Sequence, residues 1–457
     1  MKKAIACLLA ACLLVSALSG CAPAGEEPPV VTPSVPAESE PPAGSEPPAG
    51  SEPSAESEPS AKSEPPASKE PWDYSGHDDP GEARYETKLI DLDALGDGKA
   101  HLALQMGASV WDREFTGMVK EEVWGYDLRA MDARKADLSV VEDWNEVSFS
   151  TDTRWPDPLP EGFFPEEIIE FNKNPGLSIR DLHQQGFTGK GVGVAIVDQG
   201  LYTGHEEYAQ NLKTYELIHC SDPDAQMHGS AVSSIAVGKT VGVAPEADLY
   251  YIGSTFGHWT GNGFVFDAAI VADCILRVCE MNEHLPLEGK IRVISISKGY
   301  RKEDSGYEEM QNAIRQADEQ GILVLTTSTE AFYPFSLFGL SRSYFDDPDD
   351  RSAYGLSGWL RTGGDYSGPD IVGVPMGSRA YAACTGPQNY EIENEGGMSW
   401  AVPWLAGFYA LCCQARPDIT PAEFIELIKE TVQAVQPSSG GRVNVIDPEA
   451  VIARLTG

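Results

Sequence analysis

Residues 192–200 read Val-Gly-Val-Ala-Ile-Val-Asp-Gln-Gly, a short apolar run that ends in an acidic residue and a glycine-containing turn. A run of this length and composition is typical of a strand that is buried on both faces of a sheet. Similar runs follow along the chain, at residues 247–252, 292–297 and 322–326. The sequence therefore predicts several buried strands in this part of the chain.

Apolar residues recur at helical spacing between these predicted strands, at residues 264–281 and 307–320. Near the C terminus, Thr420-Pro421-Ala422-Glu423 has the pattern of a capping box, which predicts a helix that extends to about residue 435. Strands that alternate with helices predict an α/β fold of three layers, in which a parallel sheet is flanked by helices.

Length and composition limit the classes of protein that this chain can belong to. The 457 residues indicate two or three domains, and a hydrophobic content of 42% can form a substantial core. The chain carries 33 Lys and Arg against 70 Asp and Glu, a net charge of −37. Because this charge repels the phosphates of nucleic acids, we expect no nucleic-acid partner.

The N terminus has the features of an export signal. Lys2 and Lys3 precede an apolar run over residues 4–18, which is too short for a typical membrane-spanning helix. The run ends in Leu18-Ser19-Gly20-Cys21, which resembles the lipobox of bacterial lipoproteins. The resemblance implies a lipoprotein signal peptide at residues 1–21 and a diacylglyceryl group on Cys21. The protein would then be extracytoplasmic and lipid-anchored to the cell membrane.

Residues 22–75 form a low-complexity segment in which 14 of 54 residues are proline. Such a segment cannot offset its ordering entropy, so we expect a disordered Pro/Ser/Glu-rich linker or tether. Residues 76–175 are either an N-terminal extension or a propeptide-like region. This region contains tryptophans that predict packing against another part of the protein: Trp111, Trp124, Trp144 and Trp155.

Three short motifs carry an acid, an imidazole and a hydroxyl. Asp198 closes the strand quoted above, and His228 lies in Met227-His228-Gly229-Ser230 at the start of a small-residue helix. Ser399 lies in Gly396-Gly397-Met398-Ser399-Trp400-Ala401-Val402-Pro403. Each motif alone is ordinary, since polar residues commonly end strands and cap helices. Together, in the order Asp, His, Ser, they supply a nucleophile, its general base and an acid that orients the base.

The contexts of these residues are similar to those of the subtilisin-like serine protease (subtilase) family. The family has Asp-x-Gly, His-Gly-Thr-His and Gly-Thr-Ser-Met-Ala-Thr-Pro at the corresponding places. The resemblance runs from about residue 176 to the end and implies a subtilisin-like catalytic domain at residues 176–457. It implies a serine endopeptidase in which Ser399 attacks a peptide carbonyl, His228 transfers the proton, and Asp198 fixes the imidazole.

The resemblance also suggests how substrate binds. In the family, an extended peptide lies along a strand that corresponds to Ser297, Lys298 and Gly299 here. The expected partner is a protein or peptide substrate, and no redox or organic cofactor is implied. Glu207 lies where some family members have a calcium ligand, but its partners are not recognisable. No metal ligand is therefore assigned, and calcium is left open.

The oxyanion donor departs from the family pattern. The family usually has an Asn after an apolar strand, and the corresponding stretch here is Thr326-Thr327-Ser328-Thr329-Glu330. Glu330 falls nearest to that Asn, and an ionised carboxylate repels an oxyanion. Two alternatives stay open: Ser328 or Thr329 donates instead, or Glu330 is protonated in a dry site. An alternative function stays open: a catalytically impaired subtilase-fold lipoprotein that binds peptides or a surface partner.

Three rival enzyme classes do not fit the sequence. An α/β-hydrolase needs a His after its nucleophile, but the last His is His284. A Cys-His protease built on Cys384 has no signature around that residue. His205-Glu206-Glu207 does not supply the His-Glu-x-x-His of a metallopeptidase, and the cysteines have neither a disulfide framework nor zinc spacing.

Overall fold

The computed structural model describes residues 87–92, 115–260, 263–358, 366–437 and 441–457. The predicted signal peptide with Cys21, the predicted linker and Trp111 lie outside these residues.

The strands, in chain order, are β1 (Thr87–Leu89), β2 (Lys120–Glu121), β3 (Gly125–Asp127), β4 (Val147–Ser150), β5 (Gly193–Asp198), β6 (Leu212–Ile218), β7 (Asp248–Gly253), β8 (Gly257–Thr260), β9 (Gly263–Phe266), β10 (Ile291–Ser295), β11 (Leu323–Leu325), β12 (Ser336–Ser341), β13 (Gly355–Leu356), β14 (Ile371–Pro375), β15 (Arg379–Ala382), β16 (Tyr390–Glu393), β17 (Gln433–Val435) and β18 (Val443–Val445). The helices are α1 (Pro165–Phe171), α2 (Ile179–Gln184), α3 (Met227–Val237), α4 (Ala268–His284), α5 (Tyr307–Glu319), α6 (Met398–Ala415), α7 (Pro421–Thr431) and α8 (Pro448–Thr456).

The central sheet has the strand order β1-β6-β7-β5-β10-β11, in which β1 is antiparallel and the others are parallel. All of β5 is buried, as its continuous apolar run predicted. Helices α3 and α6 form one packed pair on the sheet, and α4 and α5 form a second. The predicted α/β fold class, with a parallel sheet flanked by helices, is confirmed.

A second sheet joins residues near the start of the described chain to residues near its end. Its order is β15-β16-β4-β3-β2, and β4 lies antiparallel to β16 with Phe149 opposite Ile392. The Phe149 ring packs at 5.8 Å from Phe163 and 6.4 Å from Tyr344, measured between ring centroids. Residues 115–175 therefore share a sheet and an apolar cluster with the predicted catalytic domain.

Two predicted helices have different bounds in the structure. The helix predicted from residue 264 begins at Ala268, where the Asp267 side chain accepts the Ala269 N–H. The residues before it pair as the β8–β9 hairpin, because aromatic and β-branched side chains favour a strand there. The helix predicted to reach residue 435 has the predicted capping box but ends at Thr431, since β17 pairs with β18.

Helix α6 is buried without interruption from Trp400 to Cys413 and contacts β5, β10, β12 and β14. Strands β5 and β10 belong to the central sheet, and β12 and β14 belong to a three-stranded sheet of order β13-β12-β14. The burial of α6 therefore fixes the helix, and with it the residues of its first turn, relative to both of these sheets. Across the described parts of the chain, no helix combines the length and the apolar character needed to span a membrane.

Candidate active site

Asp198 is the last residue of β5 and lies at the carboxyl edge of the central sheet, between β7 and β10. The residue is 1% exposed. Its Oδ1 accepts hydrogen bonds from the Gln199 backbone N–H at 2.8 Å and from His228 Nδ1 at 2.7 Å. Since binding and catalytic groups of parallel sheets collect at this edge, the strand places the acid where a site is expected.

His228 is the second residue of α3, and its ring is held by the Asp198 carboxylate. A carboxylate only accepts, so Nδ1 donates, and in the neutral imidazole Nε2 carries the lone pair. Nε2 is buried and has no hydrogen-bond partner among the described residues. The imidazole is therefore oriented by Asp198 and keeps Nε2 as a proton acceptor.

Ser399 follows two glycines at the start of α6. Gly396 has a φ of +58°, and a Cβ there would lie 2.9 Å from Trp400 Cδ1 and 3.0 Å from the Met376 carbonyl oxygen. Only glycine accepts this conformation and this contact without strain. A Cβ on Gly397 would meet nothing nearer than 3.9 Å. A side chain would therefore fit at Gly397 without a clash, so the described residues do not crowd the backbone just before Ser399.

Pro403 removes one backbone hydrogen-bond donor from the first turns of α6. Because proline has no N–H, the Ser399 carbonyl four residues earlier lacks the usual α-helical hydrogen bond. The Ser297 hydroxyl donates to this carbonyl at 2.8 Å, and the Ser399 hydroxyl donates to the Ser297 carbonyl at 3.4 Å. Ser297 comes two residues after β10, so this reciprocal pair ties the start of α6 to the sheet edge.

Trp400, the residue after Ser399, links the serine to the imidazole. Its ring packs on the His228 ring with the centroids 5.1 Å apart. The structure thus brings Asp198 and His228 into direct contact, and it sets Trp400, the residue after Ser399, against the imidazole. The Ser399 hydroxyl is bonded to Ser297 and does not bond Nε2. Catalytic hydrogen bonds are commonly loose without substrate, so this arrangement suits a resting site.

Sequence reasoning assigned no role to Trp400, although it stands where the subtilase motif has Met. The indole is 3% exposed and packs between His228 and Tyr381, with both centroid distances at 5.1 Å. Its Nε1 donates to Glu393 Oε1 at 2.5 Å. The departure from the motif, directly beside the candidate nucleophile, was the signal that could have marked this residue.

The two residues predicted for the oxyanion site lie in a 3-10 turn at Thr329–Ala331. Thr329 is buried, and its hydroxyl donates to the Phe335 carbonyl at 3.1 Å while accepting the Leu337 N–H at 3.0 Å. Glu330 is exposed. The Thr329 proton is thus committed within the loop, and the oxyanion role of both residues stays a prediction.

The predicted substrate strand, Ser297 to Gly299, follows β10. A Cβ on Gly299 would lie 2.5 Å from Ser328 Oγ and 2.8 Å from Thr327 Oγ1, so two hydroxyls crowd this backbone. Lys298 Nζ lies 5.1 Å from the centre of the Phe266 ring, in the hairpin that the sequence did not predict. Whether a peptide binds along these residues stays a prediction.

Both oxygens of the Glu207 carboxylate accept hydrogen bonds from the protein itself. Its carboxylate accepts the N–H groups of Thr240 at 2.7 Å and Val241 at 3.2 Å, the Thr240 hydroxyl at 2.5 Å and the Tyr390 hydroxyl at 2.6 Å. It closes the loop after α3 and does not fit the role of a calcium ligand. Across the described residues, no cluster of three or more His, Cys, Asp or Glu is arranged to hold a metal ion.

Part of this chain is similar to known proteins. Residues 189–331 match the model of the subtilase family. The chain is 27% identical over 327 residues to the subtilisin-like protease PopC of Myxococcus xanthus (strain DK1622), a match that covers 64% of this chain and 66% of PopC. It is 27% identical over 282 residues to the serine protease AprX of Bacillus subtilis (strain 168), with 54% of this chain and 62% of AprX covered.

The chain therefore spans less than two thirds of either curated relative. Among solved structures, the prenylagaramide maturation protease PagA aligns at 16% identity with a TM-score of 0.45, covering 61% of this chain and 98% of PagA. The family model and the two curated relatives support the subtilase family. The matched range contains Asp198, His228 and the predicted substrate strand, and it ends before Ser399.

Replacing Ser297 with Ala removes the hydroxyl that serves the Ser399 carbonyl. Since this hydrogen bond is partly buried, we expect the free energy of unfolding in urea to fall by about 1 kcal/mol, the typical net contribution of one hydrogen bond. The control is Ser295→Ala at the end of β10, two residues earlier, whose buried hydroxyl has no hydrogen-bond partner in the described residues. Equal losses in the two variants would contradict the proposed contribution of this bond.

Glu391 predicts a pH dependence of stability. Burial raises its pKa to about 7, with Asp127, Glu393 and Asp152 acting in the same direction and Arg129 in the opposite one. A carboxyl whose pKa is raised on folding stabilises the protein below its unfolded pKa, and this contribution is lost as pH rises through about 7. The free energy of unfolding of the wild type should therefore fall as the pH rises to about 7. The free energy of unfolding of Glu391→Gln should fall less over the same pH range. A wild-type and variant profile of the same slope would contradict this assignment.

Proposed function

We propose that this chain is a membrane-anchored, extracytoplasmic serine endopeptidase of the subtilase type that hydrolyses peptide bonds with Asp198, His228 and Ser399. The observation that carries the proposal is the 2.7 Å hydrogen bond between Asp198 and His228, which orients a buried imidazole whose Nε2 is left without a partner beside the start of α6. A structural histidine in a core is normally hydrogen-bonded at both nitrogens, so this arrangement suits a base awaiting a substrate.

The first chemical step is attack by Ser399. Its hydroxyl leaves the Ser297 carbonyl, turns toward His228 Nε2 and transfers its proton there while Oγ bonds the substrate carbonyl carbon. The buried Asp198 carboxylate stabilises the imidazolium that forms. His228 then delivers the same proton to the departing amine nitrogen, the C–N bond breaks, and an acyl-enzyme remains on Ser399.

The second step is hydrolysis of the acyl-enzyme. A water molecule takes the place of the departed amine and gives a proton to His228 Nε2 as its oxygen attacks the ester carbon. The bond from that carbon to Ser399 Oγ breaks, and His228 returns the proton to the serine oxygen. The acid product leaves and the resting site is restored.

The oxyanion is bound first by the backbone at the start of α6. The N–H groups in the first turn of a helix have no acceptors in the helix, and the helix dipole favours negative charge there. We assign one donor to the Ser399 N–H. The second is Ser328, whose hydroxyl lies against Gly299. A missing or weak donor typically costs about 10²- to 10³-fold in rate, so slow turnover is expected.

The substrate would be a protein or peptide held in extended form along Ser297, Lys298 and Gly299. The space beside Gly397 leaves room for the peptide backbone to reach Ser399. The anchor would be the lipidated Cys21, with residues 22–75 as the tether, on the basis of their sequence alone. The competing function is a peptide-binding lipoprotein without hydrolysis, and the exposed Glu330 in place of a donor favours it.

Labelling with a fluorophosphonate probe separates these two functions. The purified full chain should take up the probe, and Ser399→Ala should take up none because the attacking oxygen is gone. Asp198→Asn should label about 10⁴-fold more slowly, since the amide holds the wrong imidazole tautomer. Ser352→Ala changes an exposed serine and is the matched control.

The outcomes of this experiment distinguish the protease from the peptide-binding protein. Label that depends on Ser399 supports the protease. A folded wild-type chain without any label, or label that persists in Ser399→Ala, would overturn the proposed mechanism. In the first of these cases the peptide-binding function would take its place.

The membrane anchor is tested by fatty-acid labelling in cells. Wild-type chain should incorporate labelled palmitate, and Cys21→Ala should not, because the thiol is the acceptor of the diacylglyceryl group. Cys220→Ala, which changes a half-buried cysteine of the folded domain, should label like wild type. Incorporation that survives Cys21→Ala would contradict lipidation at this residue.

A further inference from the structure

Arg129 lies just after β3, in the segment that precedes the predicted catalytic domain. The Asp127 carboxylate holds its guanidinium at two points, Nε to Oδ1 at 2.9 Å and Nη2 to Oδ2 at 3.2 Å. A guanidinium gripped in this way has a fixed plane and a fixed direction. Its remaining nitrogen, Nη1, donates to Glu393 Oε2 at 3.2 Å and to the Tyr381 hydroxyl at 3.0 Å.

Glu393 connects the fixed Arg129 guanidinium to the candidate active site. One carboxylate oxygen accepts from Arg129, and the other accepts from the Trp400 indole N–H at 2.5 Å. The indole lies between Tyr381 and His228 and forms the apolar wall of the imidazole. The chain of contacts therefore runs from Arg129 through Glu393 and Trp400 to His228, and Trp400 is adjacent in sequence to Ser399.

Charge makes Arg129 hard to replace in this network. Asp127, Glu391 and Glu393 all face the guanidinium, with Glu391 Oε2 3.6 Å from Nη1. Burial acts to lower the pKa of Arg129, but these carboxylates and Tyr381 raise it well above its ordinary value. Without the guanidinium, three carboxyl groups would face one another, and Glu393 would be driven from the position in which it meets Trp400.

The backbone around Arg129 is part of the same body as the site. β3 pairs with β4, and β4 pairs with β16, whose last residue is Glu393. Removing residues 115–154 would strip three strands from the second sheet and uncover the apolar cluster around Phe149. Exposing such a cluster to water is costly. This arrangement therefore favours residues 115–154 as a permanent part of the fold.

We infer that Arg129 is a positioning residue for His228, acting through Glu393 and Trp400, and that the segment carrying it is retained in the working enzyme. The inference rests on the proposed function. It differs from that function in making residues ahead of the catalytic domain necessary for the rate of the chemical step. Arg129 touches no reacting atom, so its effect is on the orientation of the imidazole and of the first turn of α6.

The test begins with peptide hydrolysis by the full chain and three variants. Arg129→Met should lower kcat about 10- to 100-fold and change KM less than twofold, since a displaced catalytic group slows chemistry more than binding. Arg129→Lys keeps the charge and should recover part of the loss. The matched control is Arg134→Met, whose arginine also pairs with an aspartate two residues earlier but is 62% exposed. It should match wild type.

A double-mutant cycle then asks whether the effect travels through the indole. Trp400→Phe keeps a ring against His228 but has no N–H for Glu393. If the path is correct, Arg129→Met should lower kcat by less than twofold further in the Trp400→Phe background. Effects that multiply would overturn it. Should Arg129→Met fail to fold, Glu393→Gln takes its place in the cycle, with the same expected lack of additivity.

The outcomes separate this inference from the function on which it rests. Arg129→Met that hydrolyses peptides like wild type overturns the positioning role and leaves the protease in place. A wild-type chain that neither hydrolyses peptides nor takes up fluorophosphonate overturns both. Intact mass of the labelled wild-type protein completes the test. A labelled species that retains residue 129 supports retention of the segment, and one that begins after it overturns retention.

Discussion

The hydrogen bond from the Ser297 hydroxyl to the Ser399 carbonyl fixes the start of a buried helix to the edge of the central sheet. It exists because Pro403 cannot supply the usual donor, and helix α6 is too tightly packed to shift and find another. The same sheet carries Asp198 at the end of the neighbouring strand. Asp198 and the start of α6 are therefore fixed to the same sheet, and the His228 imidazole lies between the Asp198 carboxylate and the Trp400 ring.

The candidate site also holds polar atoms that a purely structural core would satisfy. Asp198 Oδ2 and His228 Nε2 are both buried without hydrogen-bond partners among the described residues. Leaving such atoms unpaired costs free energy, which the extensive apolar burial around β5 and α6 offsets. Unpaired buried polar atoms are typical of functional positions. Such atoms also occur elsewhere in the described residues, for example at Ser295 and Arg379, but at Asp198 and His228 they belong to two residues in direct contact that the sequence motifs single out.

Much of the fold and of the candidate site could be predicted from the sequence, because the patterns that indicate these strands, helices and motifs are local. The buried run that ends in Asp198 is a strand by composition, and the capping box at Thr420 starts a helix as predicted. The second sheet was not predicted because its strands are two to four residues long and pair with residues far away in sequence. The role of Trp400 escaped for the same reason, since its partners Glu393, Tyr381 and His228 come from separate elements.

The pairing of β4 with β16 has a consequence for the order in which the molecule is completed. Phe149 and Ile392 lie opposite each other although more than half of the chain separates them in sequence. Contacts of such long range form late, because a large loop must close before they repay its entropy. A nascent chain that has emerged only as far as β14 holds Asp198 and His228 but has neither the serine nor the tryptophan wall. On the proposed function, the ability to cleave thus appears last, when nearly the whole polypeptide is already available to fold around the site.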